Sequence, residues 1–195
     1  MHCEATTIHI AVLKIKGSLS PLPGGGIISP RMTDSAVRAP FWETKTLEQM
    51  NPQEWESLCD GCGLCCLVRF EDEETLEVIP TRVHCKLFDP EKCACSDYAN
   101  RKKHVPDCIK LTPRNIEALE WMPMSCAYRR LHEGKTLPAW HHLITGDRET
   151  VHRSGVSIRG QTISELALGD PEEALDFAAW DLSEDRSEWP AEDID

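Results

Sequence analysis

The sequence predicts a small α+β domain, mostly short helices with one β-hairpin, irregular between them and metal-stabilised, with disordered N-terminal and C-terminal tails. Three observations predict this. Nine of the ten cysteines fall in the 68 residues from Cys59 to Cys126. Capped, proline-led helix starts recur, and each is followed by only a short apolar stripe. The 195 residues are 41% hydrophobic but 6% aromatic, enough for one domain with a modest core. Thiolate–metal bonds are then expected to supply part of the folding free energy.

Residues 1–38 read as a disordered tail. Ser18-Leu19-Ser20-Pro21-Leu22-Pro23-Gly24-Gly25-Gly26 has no helical or strand period. Met32, followed by Thr33-Asp34-Ser35, is the expected start, with residues 1–31 an upstream extension. Cys3 lies in that tail and is given no role. The apolar patch from Ile8 to Leu13 is broken by His9. Glu4 stands where a secretory signal would be positive, and Lys14 and Lys16 follow the patch instead of preceding it. No run approaches the ~18 apolar residues of a membrane span. The chain is therefore expected in the cytoplasm, where clustered cysteines are more often metal-binding or redox-active than disulfide-bonded.

A cysteine-rich domain is expected over residues 39–165. It begins at Phe41-Trp42. Thr46-Leu47-Glu48-Gln49 predicts a helical turn, and Asn51-Pro52-Gln53-Glu54 a capping box with Pro at N1. That helix places Trp55, Leu58, Cys59 and Cys62 at i, i+3, i+4, i+7 and delivers Cys59 at its end. Cys66-Leu67-Val68-Arg69-Phe70-Glu71 alternates, with Cys66, Val68 and Phe70 on one face. With Thr75–Ile79, stopped by Pro80, it predicts the hairpin. Irregular chain follows, with His84-Cys85 and Cys93-Ala94-Cys95 flanking the turn Phe88-Asp89-Pro90-Glu91. Thr112-Pro113 opens a helix with Ile116, Leu119 and Met122 on one face. Ser125 caps the next, with Cys126 in its first turn and Gly134 as its stop. Val156–Arg159 predicts a strand. Residues 166–182 are expected to form a C-terminal helix, with a capped start at Asp170-Pro171 and Leu175, Ala178, Ala179 and Leu182 as its stripe. Residues 183–195 read as a frayed acidic tail.

The run Cys59-Asp60-Gly61-Cys62-Gly63-Leu64-Cys65-Cys66 carries the chemistry. Two intervening residues let neighbouring thiolates point at one ion. Gly61 and Gly63 permit a sharp turn that exposes backbone amides to sulfur. Cys59, Cys62 and Cys65 suit three irons of a [4Fe–4S] cluster, although the ferredoxin continuation is absent, so a fourth ligand must come from further along. Zinc reads equally well, with Cys59 and Cys62 joined by two later cysteines. The metal-ligand candidates are Cys59, Cys62, Cys65, Cys66, Cys85, Cys93, Cys95, Cys108 and Cys126, and nine would fill two four-sulfur sites with one left over. His84 abuts Cys85, but a packing role is the better reading. His141, after Trp140, is the best polar functional candidate outside the cluster. Asp107, Lys110, Glu120 and Arg129 bracket cysteines and are candidate supports.

A net charge of −12 disfavours nucleic acid and anionic membranes, and Arg101-Lys102-Lys103-His104 reads as a solvated basic run. The chain has no Gly-rich phosphate loop, nucleophile elbow or zincin motif.

The same run resembles the CxxCxxCC signature of the zinc- or iron-chelating (YkgJ-type) superfamily. Phe41-Trp42, Glu54–Leu58, Pro106–Leu111, Met124–Arg129 and Leu137–His141 resemble the YcgN-type bacterial family within it. The likeness spans roughly residues 40–165. It implies a cytosolic, cysteine-ligated metal protein whose cofactor is zinc or an iron–sulfur cluster. Flagellin lysine methylases are also similar to the superfamily, but the chain shows no methyl-donor motif. The function expected is metal binding, structural or in metal or redox handling through a protein partner. The alternatives are an Fe–S-dependent oxidoreductase or protein-modifying enzyme, and a metal-free thiol redox sensor.

Overall fold

In a computed structural model, residues 39–118 and 120–188 are described. The chain divides into two units, Met1–Ala39 and Pro40–Asp195, and every element below belongs to the second. The expectations for residues 1–38, for Leu119 and for the last seven residues lie outside the described residues.

The helices are short. The chain opens with α1, Phe41–Thr44, and a 3-10 turn, Leu47–Gln49, closed by a Thr46/Gln49 capping box. Helix α2, Pro52–Ser57, starts as expected: Asn51 accepts the Glu54 N–H and Glu54 accepts the Asn51 N–H, each at 2.9 Å. The helix stops before Cys59, and Leu58 is its C-cap. Strand β1, Leu67–Glu71, pairs antiparallel with β2, Val78–His84. The hairpin stands, but Pro80 does not end its second strand. It sits inside β2 opposite Arg69, and its carbonyl accepts the Ala179 N–H. Proline lacks only the donor, and the carbonyl remains free to pair. Leu67 is the buried residue of β1, not the Cys66/Val68/Phe70 face, because register slips between Leu67 and Arg69.

Strands β3, Phe88–Asp89, and β4, Ala94–Cys95, form a second small hairpin where irregular chain was expected. Helix α3, Arg101–His104, is a single exposed turn. The stretch opened by Thr112 forms only a 3-10 turn, Ile116–Ala118, although Ile116 and Met122 are buried as expected. Asn115 Oδ1 accepts both the Thr112 N–H and its hydroxyl, closing a local turn there. Helix α4, Ala127–His132, has Cys126 as its N-cap, one residue later than expected, and Ser125 is buried behind it. Gly134, at φ +71°, ends the turn. Helices α5, His142–Thr145, and α6, Thr150–Arg153, follow.

Val156 and Ile158 are fully buried but form no strand; the last strand is β5, Ile163–Ser164, parallel to β2. The expected C-terminal helix is three 3-10 segments: Glu165–Ala167, Pro171–Phe177 and Trp180–Ser183. Asp170 does cap, accepting the Glu172 N–H, but the backbone of Ala178 and Ala179 goes to Thr81 and Pro80 of β2 instead of continuing a helix: Ala179 and Leu182 are buried and Leu175 stays exposed. The acidic tail packs at its start. Arg186 is buried, its Nη1 donates to the Val156 carbonyl, and its own carbonyl accepts from Trp140 Nε1 at 3.1 Å.

Two apolar clusters hold the domain. One gathers Leu64, Leu67, Phe88, Trp140, Val151, Val156 and Ile158; the other gathers Leu47, Leu58, Ile116, Met122, Tyr128 and Leu137. The cysteine run crosses between them: Leu58 belongs to the second cluster, Cys62 and Leu64 to the first.

Candidate metal centre

The loop after α2 is pinned by hydrogen bonds to its carbonyls and amides. The Cys59 carbonyl accepts from Arg148 Nη1, and the Cys62 carbonyl from the Ile158 N–H at 3.0 Å. Asp60 is buried and its Oδ1 accepts the Cys62 N–H at 2.8 Å. Gly61 and Gly63 sit at φ +80° and +81°. At Gly63 a Cβ would lie 2.6 Å from Phe88 Cζ and 2.8 Å from Ile158 Cγ1, so only glycine fits between those side chains. The 3-10 turn Leu64–Cys66 follows, and Arg69 Nη2 caps it by donating to the Leu64 carbonyl at 2.6 Å. The Arg69 guanidinium lies over the Trp121 ring, 5.0 Å from its centre.

Sulfurs then meet amides. The Cys59 thiol is hydrogen-bonded by the Gly61 N–H and Cys62 by the Leu64 N–H. Cys126, arriving on α4, is bonded by the Tyr128 and Arg129 amides. The donors lie two residues on, and at Cys126 also three, the arrangement that stabilises a thiolate. Cys59 and Cys65 are open to solvent, Cys62 is buried, and Cys66 and Cys126 are half-buried. The charges of Cys59, Cys62, Cys65 and Cys126 bear on one another, so these thiols gather about one recess.

The electrostatics of that recess are unfavourable to charge. Desolvation, then the Asp60 and Cys65 charges, push Cys59 up to about 12. Desolvation raises Cys62 well above the usual thiol range, followed by Asp60, Cys65 and Cys126. Cys126 is raised by desolvation and then by Asp60. Asp60 itself is raised by burial. Cys65 alone is lowered, to about 7, first because the Cys66 thiol hydrogen-bonds it; Arg69 also lowers it. Cys66 is raised as the donor of that bond.

The donor set fits a thiophilic metal in kind: four thiols, three with an amide already aimed at sulfur, and mutual repulsion that a cation would relieve. Among the described residues, no three Cys, His, Asp or Glu side chains already stand in a metal-holding arrangement.

The other expected ligands lie elsewhere. Cys85 and Cys95 are on and beside the β3–β4 hairpin, and the charges of Cys95 and Cys108 bear on Cys85. Cys93 is buried in the first apolar cluster, at φ +50°, with its thiol bonded by Arg159 and Ser157. His84 is buried, its Nδ1 2.8 Å from Thr162 Oγ1, which fits the packing role. His141 is buried too, and both its ring nitrogens are used by the fold. Arg129 bonds Glu133 and the Glu120 and Met122 carbonyls, while Asp107 and Lys110 are exposed. Sequence reasoning missed Asp60, Arg69 and the Phe88–Ile158 clamp on Gly63. Asp60 had a local signal, an Asp two residues before a cysteine in a Gly-rich turn; the clamp had none.

The family description "CxxCxxCC: Putative zinc- or iron-chelating domain" matches residues 58–127. A UPF0260 protein of Caulobacter sp. (strain K31) is 73% identical over 159 residues, covering 80% of this chain and 98% of the relative. A UPF0260 protein of Mesorhizobium japonicum is 55% identical over 142 residues, 72% of this chain and 96% of the relative. One from Pseudomonas putida (strain GB-1) is 56% identical over 146 residues, 74% of this chain and 97% of the relative. No solved structure matches the chain. Among the described residues, no helix is long and apolar enough to cross a membrane.

Proposed function

The chain belongs to the UPF0260 protein family, and from that premise we propose that its recess is a thiolate metal centre held by Cys59, Cys62, Cys65 and Cys126. One observation carries the reading. Cys126 is remote in sequence, yet α4 brings it to where its charge bears on Cys62, and it carries the same sulfur–amide bond as Cys59 and Cys62. The family description, a zinc- or iron-chelating domain over residues 58–127, supports the same reading. The reading takes the thiols as reduced, as in a cytoplasmic protein.

A bound zinc ion would crosslink α2, the Gly-rich loop and α4, and an iron–sulfur cluster would add one-electron chemistry. The chain's own residues prepare the site for either. Asp60 holds the Cys62 amide, Arg69 fixes the turn carrying Cys65 and Cys66, and the apolar clusters exclude water from Cys62. The enzymatic alternative drew on Trp140-His141, and both side chains are fully buried and engaged in the fold.

The test is elemental analysis and a visible spectrum on the full chain, purified without oxygen and without an affinity metal. Iron with acid-labile sulfide and a brown colour assigns an iron–sulfur centre; colourless protein with zinc assigns zinc. Cys62→Ser should lose metal and thermal stability together. Wild-type chain with free thiols and neither metal would sink the proposal.

A further inference from the structure

We propose that residues 166–184 form a docking face for a second copy of this chain, which seats its basic turn Arg101–His104 there, so that two copies pair reciprocally. The inference lies outside the thiol recess and does not depend on what the recess holds.

Exposed apolar side chains concentrate after β5. Leu166, Leu175, Phe177 and Trp180 belong to the three 3-10 segments there, and Leu166 and Trp180 are 73% and 51% exposed. Beside them a groove of about 280 Å³ runs between Leu166, Leu168, Pro171 and Ala174 on one side and Val68 and Val83 of the hairpin on the other. Residues three apart eclipse in a 3-10 helix, so Phe177 follows Pro171 and Ala174 on the groove side. Single exposed apolar residues are ordinary, but a group of them rimmed by polar residues marks an interaction surface.

The rim is of one sign. Residues 166–184 carry six acids and no lysine, arginine or histidine. Asp170 and Glu173 accept backbone amides of their own stretch, from Glu172 and Gly169. Asp181 is the only one of the six in an ion pair among the described residues, with Arg82 and Arg186. Glu172, Asp176 and Glu184 are exposed. Such a face repels an anionic partner and draws a basic, partly apolar one.

The chain itself carries that counterpart. Residues 98–106 hold Arg101, Lys102, Lys103 and His104 and no acid. Lys102 and Lys103 are exposed on α3, Arg101 stacks on the Tyr98 ring 3.8 Å from its centre, and His104 pairs with Asp97. Tyr98 is itself 51% exposed. The Cys108 N–H bonds the Val105 carbonyl at 3.0 Å, and exposed Ile109 and Lys110 follow that turn. The turn thus repeats the make-up of the ridge with the opposite charge. Among the described residues, no ion pair joins the two surfaces within one chain. Ridge on ridge would set acids against acids, and turn on turn cations against cations, so a pair of copies must match unlike surfaces. A two-fold axis makes that match twice.

The experiment is sedimentation velocity on the full chain, kept reduced so that no disulfide joins copies, over about 1–100 µM, the range of a modest interface. Wild type should move from the mass of one chain to that of two as concentration rises, and added salt should reverse the shift. Lys102→Glu with Lys103→Glu, and separately Glu172→Lys with Asp176→Lys, should each weaken association about tenfold or more. All four positions are exposed, so both variants should keep the wild-type urea midpoint. An equimolar mixture of the two variants should regain wild-type association, and so should one chain carrying all four substitutions, because each ridge again meets a turn of opposite sign. Wild type that stays at one chain mass throughout overturns the proposal. A dimer indifferent to both reversals overturns it too and places the contact elsewhere, a metal-bridged pair included. A mixture of folded variants that fails to associate overturns the reciprocal match. Metal content is read separately, so each of these results leaves the reading of the recess untouched.

Discussion

The Nε2 of His141 lies 3.1 Å from the carbonyl oxygen of Leu58, the residue that joins α2 to Cys59. The Leu143 N–H donates to the other ring nitrogen, Nδ1, at 3.1 Å, so the proton sits on Nε2 and is donated to Leu58. The histidine is a strut beneath the first cysteine. His141→Ala should cost about 2–4 kcal/mol through the cavity and the unpaired carbonyl, read as a lower urea midpoint. The folded fraction should keep its full metal content. Loss of one metal equivalent from folded protein would make His141 a ligand and overturn its role as a strut.

The same bond sets a pH dependence. Burial holds His141 down at about 4, below its ordinary 6.5. Between those values the unfolded chain binds a proton that the folded chain does not. Stability is therefore full above about pH 6.5 and falls as pH drops towards 4, by up to about 3 kcal/mol from this residue. Below 4 it adds no further loss. His84, His142 and His152 are lowered by the same cause and act in the same direction. Urea unfolding of metal-free protein from pH 7.5 to 4.5 should show the slope, and a flat profile would contradict the burial of these rings.

Gly63 and Gly134 make a matched pair. Both have left-handed backbones, at φ +81° and +71°, but a Cβ at Gly134 meets nothing within 4 Å. Gly134→Ala should cost about 1–2 kcal/mol, from backbone strain alone. Gly63→Ala adds the overlap with Phe88 and Ile158 and should cost about 1–3 kcal/mol more. Equal melting temperatures for the two variants would mean that the clamp on Gly63 yields freely.

Tyr128 ties α4 to α2. Its hydroxyl donates to the Trp55 carbonyl at 2.9 Å, and the two rings lie 4.7 Å apart. Tyr128→Phe keeps the ring contact and removes the bond, so about 1 kcal/mol should be lost with an unchanged denaturant slope. Trp55→Leu should cost more, and the pair should couple in a double-mutant cycle; independent effects would separate the two helices energetically.

What was legible in the sequence was local. The Asn51/Glu54 box needs only residues three apart, and it formed as expected, as did the Thr46/Gln49 turn. The cysteine run was legible through its spacing alone, and the family description covers it. What was illegible depends on partners far along the chain. Val156 and Ile158 carry strand-like side chains, but the Ile158 amide goes to the Cys62 carbonyl instead of a neighbouring strand. Pro80 reads as a strand end until Ala179 supplies a donor for its carbonyl. His141 looked functional because it is polar and beside a tryptophan; only the fold shows that it is buried against Leu58. Apolar spacing near residue 175 matched a helix period, yet Ala178 and Ala179 pair with Thr81 and Pro80 of β2, which buries Ala179 and leaves Leu175 exposed.

The clamp on Gly63 also sets the portability of the eight-residue signature. Phe88 and Ile158 lie 25 and 95 residues further along the chain, and together they mould the turn from outside. A synthetic peptide spanning residues 59–66 would carry every sulfur of the signature and none of the mould. Such a peptide is a flexible multidentate thiol, and the loop in the protein is a cast part. Transplanted onto another scaffold, the octapeptide would bring its composition without its shape.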